Sequence, residues 1–346
     1  MALRIKVCPY RLLFKHPFGT AHGLRDGTDA LFVQVEEDGT TGHGEITLPP
    51  YVQETVSGAR QRLRSIAHAR SWTLEELLQG LDMLADLKDS PATRAGLHSA
   101  LIDALARKNG QSVAEQLGIA GRQNAATVMT IGICTPDEAI ERLHEFPPGI
   151  SLKLKAGDPL SISRISAVIE SADARILIDG NKGLKSVSEA ARILDAVPSD
   201  RLIGIEQPFG TEHDEWNRDL NKDSGALVIA DESLQGIQDL ERVAEFFDAV
   251  NIKLMKCGGL DRAAELAMRA DALDLRVMLG CMSESSLGCG TMAQLASEAQ
   301  ILDLDGPWLL KNDPWEGLRV EHGGLVLEHG YGVGVEPQAR LAYSDA

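Results

Sequence analysis

Three carboxylates each close a short apolar run: Asp179 in RILIDGN, Glu206 in RLIGIEQP and Asp231 in ALVIADES. Packed together they repel, and one must keep its proton unless a cation is shared among them. A hard divalent cation removes that conflict. All-oxygen ligation with positions left open suits Mg2+, one per chain, and the absence of His or Cys at these stations argues against zinc. Ordinary helix caps and surface ion pairs are the plain alternative, but they do not account for the same placement three times over.

Lysines follow the same pattern. Lys153 and Lys155 form a Lys-x-Lys in ISLKLKAG, and Lys253 lies in AVNIKLMK. Alternation along a strand puts Lys153 and Lys155 on one face, and the interleaved Ile150, Leu152 and Leu154 mark that strand as buried. Two adjacent ammonium groups beside a metal are expected to depress one another's pKa, leaving a lysine able to act as a base. In AVNIKLMK, Asn251 and Lys253 share the inward parity and Lys256 does not, so Lys253 is the expected base. Asp303 and Asp305, an Asp-x-Asp in QILDLDGP, are not needed by the metal and suit a substrate ammonium.

These residues need a frame that makes them converge. From about residue 125, short apolar runs alternate with amphipathic stretches of helical length. That alternation implies a parallel sheet, and eight such units imply a closed barrel with an outer ring of helices. A polar residue marks each run in turn: Thr130, Lys153, Asp179, Glu206, Asp231, Lys253, Ser283 and Asp303, spaced 20 to 30 residues apart. In such a barrel the C-terminal strand ends meet at one mouth. The second and sixth strands lie opposite one another, so Lys155 and Lys253 flank whatever sits between them. Two bases on opposite faces of a metal-bound carboxylate suit removal and return of a proton at a stereocentre. The metal and Lys153 would hold the enediolate charge.

The first 120 residues read differently. Residues 4–14 and 30–37 are expected strands; 52–68, 73–86 and 91–107 are expected helices, with GHGEITLPPY between them as turn punctuation. Strands followed by helices suggest a small α+β domain. The glycine-rich tail EHGGLVLEHGYGVGVEPQARLAY is β-like, and GYGVGVE is read as turns because no strand–loop–helix context accompanies it.

Composition excludes several partners. The formal charge of −17, from 34 basic and 51 acidic residues, repels phosphate backbones and anionic membrane surfaces, so neither nucleic acid nor membrane is expected. No apolar run is long enough to span a bilayer, and no signal-peptide core opens the chain. Five cysteines without framework spacing read as reduced thiols of a cytoplasmic protein. A homo-oligomer stays open.

The pieces LKLKAG, IDGN, IEQP, ADES and NIKLMKCGG, in this order and at barrel spacing, resemble the enolase superfamily in its muconate-lactonizing subgroup. The resemblance implies a (β/α)7β TIM-like barrel, residues 123–320, beneath an N-terminal α+β capping domain of residues 1–122 to which 321–346 return. It implies Mg2+ on Asp179, Glu206 and Asp231, with Lys155 and Lys253 as opposed acid/base catalysts and Lys153 beside them. GCMSES carries no His, unlike the mandelate-racemase subgroup; its Ser283 and Glu284 are grouped with the substrate-binding residues. LDLDGP, TIGICTPDEA and LPPYVQET resemble the dipeptide epimerases, in which the Asp-x-Asp clamps the substrate's terminal ammonium. By that resemblance Thr130 lines the site, and the loop TAHGLRDGTD covers the mouth. Ala-Glu enzymes use an arginine in this loop to bind the glutamate side chain; Arg25 could serve here, but His22 stands near where that arginine often lies. A glutamate or a small or apolar C-terminal residue therefore both remain open.

The implied activity is Mg2+-dependent epimerisation of L-Ala-Xaa dipeptides by two-base 1,1-proton transfer. Rivals on the same scaffold are N-acylamino acid racemase, o-succinylbenzoate synthase and cycloisomerase. An acylated or carbocyclic substrate offers no ammonium to Asp303 and Asp305. A non-catalytic small-molecule binding protein is the remote alternative, since binding alone needs no opposed lysines.

Overall fold

The computed structural model describes residues 3–20, 23–119, 125–220, 225–328 and 330–346. Eight strands form one sheet in sequence order, with all adjacent pairs parallel: Val128–Ile131, Ser151–Lys155, Ile176–Asp179, Leu202–Glu206, Leu227–Ala230, Ala249–Lys253, Arg276–Gly280 and Ile301–Asp303. A parallel bridge from Thr127 to Leu302 joins the last strand to the approach of the first and closes the barrel. Val128, Leu177, Ile203, Ile229, Ala249 and Met278 form a separate apolar cluster, and they come from six different strands. Two residues further along, on the same inward parity, come Thr130, Asp179 and Asn251. The barrel thus has an apolar floor and a charged storey above it.

Local signals explain the helices. Thr135 and Glu138 form a capping box with Pro136 in the first turn, which starts the helix Pro136–Leu143. Thr73 and Glu76 start Leu74–Gly80 in the same way. The expected helix over 73–86 is not continuous, however. It stops at Gly80 and continues as two 3-10 turns, Leu81–Met83 and Ala85–Leu87. Gly110, at φ +66°, ends the helix Pro91–Asn109 in a left-handed cap.

The cap sheet contains Arg4–Thr20, Gly23–Glu37 and Thr40–Leu48, all antiparallel, with the C-terminal Ser344–Asp345 added at its edge. The strand Thr40–Leu48 replaces the expected punctuation of GHGEITLPPY. Its glycines serve packing: a Cβ on Gly44 would lie 2.0 Å from Gly96 O, and one on Gly42 2.2 Å from Ala100 O. They let Pro91–Asn109 lie directly on the strand. That helix is buried on nearly all sides, from Ala92 through Ala104. Among the described residues no helix is long and apolar enough to cross a membrane, and all five cysteines are unbridged.

Candidate active site

The strand register sets the site in rows. Lys155, Asp179 and Glu206 are direct neighbours across the second, third and fourth barrel strands. Lys253, Gly280 and Asp303 are neighbours across the sixth, seventh and eighth. Thr130 pairs with Lys153 across the first and second. Above these rows is a cavity of about 490 Å3, lined by Lys153, Lys155, Asp231, Lys253, Asp303 and Asp305 from the barrel. Thr130, Ser283 and Arg25 also line it. Phe18 and Tyr51 from the cap complete its wall. Ala21 and His22 of the covering loop lie outside the described residues.

Each ammonium has a carboxylate. Lys155 Nζ is 2.5 Å from Asp179 Oδ2. Lys253 Nζ is 2.7 Å from Asp231 Oδ2. Lys153 contacts Asp303 and lies 3.3 Å from Glu206 Oε2 and 3.5 Å from Asp179 Oδ2. Asn251 Nδ2 donates to Glu206 Oε1 at 2.7 Å, as its inward parity required. Asp305 Oδ2 accepts from Thr130 N at 2.6 Å, and Asp303 Oδ1 is buried without a hydrogen-bond partner among the described residues.

The charges shift one another strongly. Burial raises Glu206, and the charges of Asp179 and Asp231 add to this, taking it to about 8. Glu232, next to Asp231, rises to about 7 through burial and then the charges of Asp231 and Asp179. Burial also pushes Asp305 up to about 6, helped by Asp303. Asp231 moves the other way: burial would raise it, but Lys253 and Lys256 hold it far below an ordinary carboxylate. The depression expected of the Lys153–Lys155 pair does not occur at Lys153, and Lys253 is raised as well. Burial works to lower both, but the carboxylates around them carry both well above an ordinary lysine. Like-charge repulsion is outweighed because each ammonium faces more acidic groups than basic ones.

Three further corrections concern individual residues. Lys253 faces inward, but Lys256 also reaches the site. The strand ends at Lys253 and a helical turn, Leu254–Cys257, resets the parity. Lys256 Nζ then lies 2.6 Å from Asp231 Oδ1. Glu284 is absent from the cavity wall; its Oε1 accepts from Met282 N at 2.7 Å and its carboxyl faces the cap junction. Phe18, with its ring centroid 6.0 Å from Lys155 Nζ, was not identified from the sequence, because nothing in a cap strand announces contact with a residue 137 positions away. Backbone strain is the one local signal that was missed. Asn181, Lys182 and Gln207 have φ of 40°, 61° and 31°, and they stand just beyond Asp179 and Glu206.

The donor set fits a hard cation. Asp179, Glu206 and Asp231 are all carboxylates, all buried and on consecutive strand ends, and Glu206 responds electrostatically to both of the others. Among the described residues no three acidic, His or Cys side chains close on a common point; the ammonium groups stand against the carboxylates instead.

A capped parallel barrel with lysines facing one cavity from opposite strands defines a barrel enzyme of the acid–base kind. Residues 4–118 match the model described as mandelate racemase / muconate lactonizing enzyme, N-terminal domain, and residues 149–341 match enolase C-terminal domain-like. An L-Ala-D/L-Glu epimerase of Bacteroides thetaiotaomicron is 32% identical, covering 96% of this chain and 88% of that protein. A hydrophobic dipeptide epimerase of Roseobacter litoralis is 30% identical, covering 89% of this chain and 92% of that one. A dipeptide epimerase from Methylococcus capsulatus, solved with Mg and L-Arg-D-Lys, superposes with TM-score 0.85 at 29% identity, covering 97% and 99% of the two chains. The chain belongs to the mandelate racemase / muconate lactonizing enzyme family of the enolase superfamily.

Proposed function

We propose that this chain is a Mg2+-dependent dipeptide epimerase that inverts the α-carbon of the C-terminal residue. The observation that carries this reading is the placement of Lys155 and Lys253 on the second and sixth strands, both lining one cavity that Asp303 and Asp305 also line. One lysine, neutral at the outset, takes the α-proton. The other, as the ammonium, returns a proton to the opposite face. The roles exchange when the substrate has the other configuration. Lys253 against Asp231 is the proton-donating form. Asp179, Glu206 and Asp231 are the residues that would hold the metal, which when bound supplies positive charge for the substrate carboxylate. Asp303 Oδ1 and Asp305 receive the dipeptide ammonium, with Thr130 and Ser283 beside it.

Arg25 supports an acidic C-terminal side chain. Its guanidinium lies 5.6 Å from the ring centroids of both Phe14 and Tyr51, and Nη1 is buried without a hydrogen-bond partner among the described residues. A carboxylate would satisfy it. The unbridged thiols support a cytoplasmic location. Incubating L-Ala-L-Xaa dipeptides with Mg2+ in D2O tests the reading. Deuterium should enter the C-terminal α-carbon with inversion, and a broad panel without exchange would sink it.

A further inference from the structure

A second group of carboxyls lies behind the cavity, where the cap meets the barrel. Glu45 belongs to the cap strand Thr40–Leu48 and is 2% exposed; Glu284 follows the seventh barrel strand and is 1% exposed. Glu45 accepts from Ser285 N at 3.1 Å, Gly288 N at 3.0 Å and Thr47 Oγ1 at 2.6 Å, and from Ser285 Oγ. It therefore caps the eight-residue helix Ser286–Ala293 from another domain. Glu284 accepts only from Met282 N, and its Oε2 is buried without a partner among the described residues. Space around it is tight. A Cβ on Gly288 would lie 2.4 Å from Glu284 Oε2, and one on Gly306 2.3 Å from Glu284 O.

Four donor groups support a negative charge on Glu45 and one supports it on Glu284. Burial raises both carboxyls, but the donors on Glu45 counter that rise, so Glu284 keeps its proton more readily than Glu45 does. Met282, which Glu284 holds, and Ser283 are on the cavity wall, and Gly306, which packs on Glu284, directly follows Asp305. Glu284 thus joins the seventh and eighth strand loops and backs them onto the cap. We propose that Glu284, through its bond from Met282 N and its packing against Gly306, is a positioning residue that holds the Met282–Ser283 wall and the Asp305 loop in register for substrate binding. This rests on the epimerase reading for its kinetic assay, but not for its stability assay.

Other groups around Glu284 set its response. Glu45 on the cap strand disfavours its ionisation, and Lys253 on the sixth strand favours it. The thiols of Cys281 and Cys289 feel the Glu284 charge, and Asp313 acts on Glu45. Burial first, then the Glu45 charge, pushes Glu284 up to about 8. Above that pH a second negative charge enters the junction. KM for the dipeptide should then rise about tenfold between pH 7.5 and 9.5, with kcat changing much less. Glu284→Gln, a neutral isostere that still accepts from Met282 N, should abolish that rise. Glu45→Gln removes the neighbouring charge and should move the rise to lower pH.

Stability gives the independent readout. Between pH 4.5 and about 8 the folded chain keeps a proton on Glu284 that the unfolded chain has lost. Glu284 therefore contributes stability that is lost across that window as pH rises, and the loss is complete above it. The melting temperature of Glu284→Gln relative to wild type should climb by a few degrees from pH 5 to 8 and then level off. If both melt with the same pH dependence, or if Glu284→Gln retains the alkaline rise in KM, the inference is wrong. A wild type inactive on every dipeptide sinks the epimerase reading, while the melting comparison still decides this one.

Discussion

Lys253 Nζ stands 2.7 Å from Asp231 Oδ2 while Lys155 Nζ stands 2.5 Å from Asp179 Oδ2, so each proposed catalyst is tied to its own carboxylate of one triad. The two lysines are not redundant copies of one base. In the proposed mechanism each serves one face. Lys155→Ala or Lys253→Ala should lower epimerisation by at least about a thousandfold in both directions, because inversion needs both faces. The surviving lysine still removes a proton from the epimer that presents one to it. Each variant should therefore exchange deuterium into one epimer only, and the two variants should select opposite epimers, as read by proton NMR in D2O.

Cation linkage is the second expectation. A ligand that binds only the folded chain stabilises it, by about 2.7 kcal/mol at a hundredfold excess over Kd. Adding Mg2+ to EDTA-treated protein should raise the melting temperature by several degrees. Asp231→Asn should remove that increase. It also strands the ammonium groups of Lys253 and Lys256, both within 2.7 Å of Asp231. The metal-free variant should therefore melt well below wild type, by the roughly 3–5 kcal/mol that an unpaired buried charge costs.

The proposed ammonium site at Asp303 and Asp305 should discriminate between free and acylated substrates. Asp303→Asn should raise KM for a free dipeptide by about 10- to 100-fold, the cost of one charge-assisted hydrogen bond. It should narrow the preference over the N-acetylated dipeptide by a similar factor. If the acetylated compound is the better substrate for wild type, the ammonium role is wrong and the acylamino acid rival gains.

Arg25 makes a charge-specific claim. Arg25→Met keeps a chain able to lie between Phe14 and Tyr51 but has no donor for a carboxylate. It should reduce kcat/KM for L-Ala-L-Glu by about 100-fold and change that for L-Ala-L-Leu by less than about threefold. Equal losses on both substrates would show that the loop acts on shape alone.

The sequence made the barrel legible because its signal is periodic: apolar strands, a polar terminal residue, then a helix. Parity along each strand was enough to place Lys153, Lys155, Asn251 and Lys253 inward. What escaped was set by contacts between domains. Gly42 and Gly44 looked like turn residues, but they sit inside a strand because a helix lies on them. Lys256 was placed by a helical turn that parity alone does not foresee. Glu284 lies within two residues of Met282 and Ser283 on the cavity wall, yet the charge that acts on it is Glu45, on a cap strand more than two hundred residues earlier.

Acid stability provides the last test, from two buried histidines away from the cavity. His43 is brought down to about 4 by burial and then by Arg107. His98 is brought to the same value by burial, despite Asp261 Oδ1 lying 3.5 Å from its Nε2. Both are therefore neutral in the folded chain at pH 5, whereas an unfolded imidazole near 6.5 is protonated. At these two sites the unfolded chain binds more protons, so their contribution to stability falls as pH drops from about 6.5 to about 4 and the loss levels off below. Moving one imidazole from 6.5 to about 4 corresponds to roughly 3 kcal/mol at full protonation of the unfolded chain. His98→Gln should flatten part of this slope, visible as a melting temperature that changes less than wild type's between pH 6.5 and 4.5. If the melting temperature of His98→Gln keeps the full wild-type pH dependence across that window, His98 is not held neutral.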